Sequence, residues 1–137
     1  MQAIFLPAVA MVALTIAVTF RMFFERMRQM RSERIAFREI PSSSQMAARF
    51  ADTRAADNYR NLFEAPVLFY LALVVAFAIG HVTTPVLALA WAYVVARCVH
   101  SYIHCTYNRV RHRFHAFLAS NLVLWALWVV LAIALLQ

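Results

Sequence analysis

RCVHSYIHCTYN, residues 97–108, closes an apolar run that begins near Pro85. Wound at about 100° per residue, it places Arg97, His100, Ser101, His104, Tyr107 and Asn108 within an arc of about 120°. Val99, Tyr102, Ile103, Thr106 and Val110 take the other side. A stripe this polar is costly in lipid. It is therefore expected at the end of a membrane-spanning helix, facing protein or a water-filled cavity.

The rest of the chain fits that placement. Of its 137 residues, 64% are hydrophobic, and only one is glycine. The mean hydropathy is +0.68. This is membrane composition at a length that suits one domain, residues 1–137. The net charge is +7, and all 13 basic residues are Arg. They crowd the ends of apolar runs, the pattern of cytoplasmic membrane flanks, so nucleic acid is not an expected partner. Cys98 and Cys105 lie seven apart on one helix, about 10.5 Å, too far for a disulfide; both read as reduced packing residues. No cleavable leader is evident.

Around the stripe the sequence predicts four spans. The first covers residues 3–24. Arg21, near its inner end, either snorkels to the interface or points into the bundle. Residues 25–39 hold no helix breaker, so the first helix is expected to run on, with Arg21/Glu25 and Glu25/Gln29 as neighbours, and to stop at the Ile40-Pro41-Ser42 turn. The second helix is expected from near Asp52 through Gly80. Arg54, Asp57, Asn58, Asn61 and Glu64 share one arc of it. Glu64 lies inside the apolar stretch, where a carboxylate is either functional or paired, here with Arg97. A short turn, residues 80–85, makes the second and third helices a hairpin, with Glu64 level with Ser101 and Asn61 level with His104. Residues 109–115 form the third link, and the fourth span runs over residues 114–136. Asn121, Trp125 and Trp128 share one of its faces, as core packing or lipid anchors. The first and third links hold nearly all the Arg. Both termini are therefore expected outside the cytoplasm, with the polar stripes opening inward.

His100 and His104 have the i,i+4 spacing that can serve one metal, but no third ligand shares their face. His81 lies at the opposite membrane face, and His112 and His115 are placed in a loop. Neither metal nor haem is expected. What remains is an arginine-rich cavity with Arg54, Arg97, Arg113, Asn58, Asn61, Glu64 and Tyr107. It suits a small polyanion that carries an ammonium group, and its apolar walls could admit a lipophilic second molecule from the membrane.

These residues resemble the membrane-associated proteins in eicosanoid and glutathione metabolism, the MAPEG family, along the whole chain. ERIAFREIP, residues 33–41, looks like the family's basic segment after the first helix. RAADNYRNLFEAPVLFY, residues 54–70, looks like its second-helix motif of Arg, Asn, Glu and Pro, and RCVHSYIHCTYN like its third-helix motif. The resemblance implies an integral-membrane homotrimer with glutathione, as co-substrate, held between neighbouring subunits on the cytoplasmic side. It assigns binding to Arg34, Arg38, Asn61, Glu64, Arg97, His100 and His104, with Arg54 and Asn58 as a second register of the Arg/Asn pair. Arg113, or Arg111 if the link is aligned shorter, would steady the thiolate. His104 stands where the family's transferase members have Tyr, and Pro66 follows Glu64 after one residue only. The implied activity is a glutathione-dependent transferase or peroxidase acting on a lipophilic electrophile; the alternative is a non-catalytic member that binds a lipid or a partner protein.

Overall fold

The computed structural model describes residues 2–35, 42, 45 and 49–136. A short 3-10 turn, Gln2–Ile4, leads into α1 (Phe5–Ser32). Then come α2 (Arg54–Asn61), α3 (Ala65–Ala78), α4 (Thr84–Cys105) and α5 (Val110–Leu135). The second span is the pair α2–α3, so four helical segments are long and apolar enough to cross a membrane. Only 22–44% of their most apolar windows is buried within the chain. Leucines, valines and phenylalanines such as Phe20, Leu68, Val95 and Leu122 face outward. That is the surface of an integral membrane protein, in which the outer face needs no polar cover.

The interior follows a seven-residue repeat. Val86, Ala90, Tyr93, Arg97, His100 and His104 form one buried line on α4. On α5, Ser120, Leu124, Leu127 and Leu131 continue the same spacing. Alternating steps of four and three place each residue on the seam between two inclined helices. α4 and α5 are accordingly the most closely packed pair. The outer half of the seam is apolar, and Tyr93 stacks on Phe69 of α3 at 4.4 Å between ring centres. The inner half is polar. The stripe of residues 97–104 is thus the bundle's core line carried into polar side chains.

Four boundaries depart from the sequence expectation. α1 stops at Ser32 rather than near Ile40. Arg34 takes a left-handed φ of 54°. The Ile35 N–H then bonds the Met30 carbonyl at 3.0 Å, and Ile35 packs on Met30 and Phe50. This hydrophobic closure offsets the cost of about 1–2 kcal/mol for a side chain in that conformation. The expected stop at residues 40–41 lies outside the described residues. The second helix breaks at residues 62–64, because Pro66 has no N–H to donate and its ring collides with the carbonyl four residues back. α4 ends at Cys105, leaving Tyr107 and Asn108 in the link, with Asn108 at φ 47°. α5 begins at Val110, four residues early, so Arg111, His112, Arg113 and His115 are helical; arginines do not interrupt a helix.

The expected register of the second and third spans also shifts. Arg97, not His104, reaches Asn61. α3 and α4 touch only lightly, so they do not form a flush hairpin about their turn. That turn does close as read: Gly80 takes φ +69°, and the His81 N–H bonds the Ala76 carbonyl at 2.9 Å.

Candidate functional site

Both arginine-rich links lie at one end of the bundle, tied together by side chains. Gln29 of α1 donates to the Asp52 carbonyl at 2.9 Å and accepts from the Asp52 N–H at 3.0 Å. Asp52 in turn grips Arg54 through two contacts, Nε to Oδ1 at 2.9 Å and Nη2 to Oδ2 at 2.6 Å. The hydrogen-bonded Arg54 guanidinium holds the Asp52 carboxyl down at about 2. Arg54 also donates to the Thr106 carbonyl, which straps the start of α2 to the end of α4. On α1, Arg21 and Arg28 both pair with Glu25 at 2.8 Å. Arg21 is thus half in solvent and neutralised along its own helix.

Arg97 is fully buried. Its Nη2 donates to the Asn61 carbonyl at 2.9 Å. α2 ends at Asn61, so this carbonyl lacks an intrahelical donor, and a cation belongs at such a terminus. The break before Pro66 therefore creates the acceptor that Arg97 uses. Glu64, at that break, makes no ion pair among the described residues and faces outward. The expected Arg97–Glu64 pair is replaced by the Arg97–carbonyl bond. One turn earlier, the buried Asn58 accepts from Ser101 Oγ and donates to Cys105 Sγ, both at 3.4 Å. Asn58 thus pins α2 to α4, and both cysteines are free thiols.

Beside this junction lies a cleft of about 380 Å³ lined by Asp57, Asn61, His100, His104, Val110, Arg113, Phe114 and Phe117. α5 supplies one wall because it starts early. Arg113 Nη1 donates to Asn108 Oδ1 at 2.9 Å and lies 3.3 Å from His104 Nε2. His100 Nδ1 lies 3.3 Å from the Arg113 carbonyl, and its ring leans on Phe117. The chemistry of the cleft is cationic and hydrogen-bonding on one side and aromatic on the other. It offers donors to carboxylates, one carboxylate to an ammonium, and an apolar wall to a lipophilic group.

Of the residues singled out from sequence, Asn61, His100, His104 and Arg113 meet at this cleft, with Arg97 behind it. Arg54 and Asn58 tie helices. Arg34 and Glu64 are exposed, as is Arg111, whose carbonyl accepts from His115. Tyr107 is exposed and contacts His112 in the link at 3.2 Å. Arg38 lies outside the described residues. Asp57 carried a sequence signal, its place on the second stripe. Phe114 and Phe117 carried none, because aromatic residues in an apolar run do not announce which one faces a site.

A four-helix membrane bundle with a basic, histidine-lined cleft at its arginine-rich end defines the class of protein. Within that class, the chain belongs to the MAPEG family, whose model matches residues 4–133. No curated protein and no solved structure matches the chain.

Proposed function

We propose that the protein is a glutathione-dependent transferase or peroxidase that acts on a lipophilic electrophile reaching the cleft from the membrane. The observation that carries this reading is the convergence of Arg113, His104, His100, Asn61 and Asp57 on one cleft with an aromatic wall. Glutathione has two carboxylates, an ammonium and a thiol, and this set has a partner for each. Membership of a family tied to glutathione and eicosanoid metabolism supports the same ligand. A free thiol is only a few per cent thiolate near neutral pH. Making thiolate the main form takes roughly 2 kcal/mol of preferential stabilisation, within reach of one charged donor in a desolvated site.

The proposal includes a homotrimer in the cell membrane, with both termini outside the cytoplasm. Glu64 on the outer face of an isolated subunit would meet lipid, a costly position. A neighbouring copy would cover it and bring its cleft wall to the same ligand. Native mass spectrometry in mild detergent is expected to show three chains; monomer alone would remove the shared site. The second reading, a non-catalytic membrane protein that binds a lipid or a partner, is favoured by one feature: Arg113 is already engaged by Asn108 and His104. Calorimetric titration of the detergent-solubilised protein with glutathione separates the two. Saturable binding with thiolate formation supports the enzyme, and absence of binding leaves the second reading.

A further inference from the structure

Two ring nitrogens in the cleft wall are buried without a partner, His100 Nε2 and His104 Nδ1. The neighbours fix both tautomers. The Arg113 carbonyl can only accept, so His100 Nδ1 carries the proton and donates to it. His100 Nε2 is then a bare acceptor. The Arg113 guanidinium can only donate, so His104 Nε2 is bare and His104 Nδ1 carries the proton. One residue of α5 sets both rings, through its backbone for one and its side chain for the other.

The open positions are therefore opposite in kind: a free acceptor on His100 and a free donor on His104. The two rings stand edge to face with centroids 5.5 Å apart. Each buried group left unsatisfied is unfavourable. A carboxylate would serve only His104, and an ammonium only His100. One atom that bears both a lone pair and a transferable proton serves both.

We propose that His100 and His104 form the seat of the glutathione sulfhydryl, with His100 Nε2 as the base that takes its proton. This rests on the glutathione reading above. The S–H bond breaks, an N–H bond forms at His100 Nε2, and the electron pair stays on sulfur. The new imidazolium keeps its Nδ1–H bond to the Arg113 carbonyl. His104 Nδ1–H donates to the thiolate. The charged groups around the seat are Arg97 of α4, Arg113 of α5, Asp57 of α2 and Glu64 at the break. The two arginines favour the thiolate, and the two carboxylates and the thiolate itself offset the imidazolium. Arg113 acts on the sulfur through His104 and is here a positioning residue.

The test uses the full chain in detergent with two probes, glutathione and S-methylglutathione, which has no thiol proton. Thiolate absorbance is read together with binding heat in buffers of different ionisation enthalpy. In the native protein, glutathione is expected to become thiolate near neutral pH with no proton released to the buffer, because His100 keeps it. His100→Gln retains hydrogen bonding but offers no base. Its thiolate signal is expected to fall at least about tenfold while S-methylglutathione affinity stays within about twofold. His100→Asn serves the same purpose should the glutamine variant not fold. Thiolate formation with one proton released, binding without thiolate, or undiminished thiolate in His100→Gln overturns the seat and leaves the glutathione site standing. Binding of neither probe overturns the glutathione reading itself.

Discussion

Arg97→Met is expected to leave the ligand-free bundle as stable as before or more so, while weakening glutathione binding. Arg97 is completely buried, yet only Nη2 is bonded; Nε and Nη1 have no partner. The substitution removes one charge-assisted hydrogen bond, worth about 1.5–3 kcal/mol. It also removes a cation from the C-terminus of α2, roughly 0.3–1 kcal/mol. Against this, two unsatisfied donors at about 1–3 kcal/mol each disappear, together with the desolvation of a guanidinium, several kcal/mol more. Methionine fills much of the same volume, so no large cavity opens. The balance is a gain of about 1–4 kcal/mol, the range seen when buried ionic groups are replaced by apolar ones. Thermal unfolding of both proteins in the same detergent, without ligand, should show a midpoint unchanged or raised by a few degrees. Calorimetry should show glutathione affinity down at least about tenfold. A midpoint lowered by several degrees would refute the reasoning, since it would mean that the guanidinium has stabilising partners beyond the Asn61 carbonyl.

Acid is expected to loosen the arginine-rich end through Asp52. Its folded-state carboxyl sits at about 2, below the ordinary value of 3.8. The stabilisation is therefore complete above the ordinary range and is lost as pH falls toward 2; thermal scans across that window should slope less in Asp52→Asn. Arg113→Ala is expected to lower turnover of a lipophilic electrophile with little change in glutathione affinity, whereas Glu64→Gln should weaken binding itself; steady-state kinetics beside calorimetry separates the two. In a chain with Cys98 and Cys105 replaced, a cysteine at Thr83 should react with an impermeant thiol reagent from outside the cell, and one at Ser43 should not. The opposite labelling would invert the proposed topology.

The four spans are legible in the sequence because each is an apolar run bounded by arginines, and lipid permits few alternatives. The inward polar face of α4 is legible for the same reason: Arg97, His100 and His104 could not face hydrocarbon. Helix ends are less legible. Pro66 carries the signal for the break at residues 62–64, but nothing at Arg34 does. There, a residue with no turn preference is held left-handed by the contact between Ile35 and Met30, a gain invisible until both are placed. The early start of α5 was hidden by its charge, since Arg109, Arg111 and Arg113 read as a link. That start decides the cleft, because it turns Arg113 toward His104 and Phe117 toward His100. The register of α2 against α4 depends on lateral packing between helices, which no one-dimensional pattern encodes.

The shared line on α4 constrains how this chain can vary. Val86, Ala90 and Tyr93 hold the bundle, and Arg97, His100 and His104 serve the cleft, on one continuous seam. Substitutions can alter either half separately. A change of length cannot. Inserting or deleting one residue between Tyr93 and Arg97 turns everything beyond it by about 100°. The guanidinium and both imidazoles would then swing out of the interior into hydrocarbon, while the apolar half stayed in place. The helix can therefore diversify by exchanging letters but not by gaining or losing one, and the spacing from Tyr93 to His104 is the part of the sequence least free to drift.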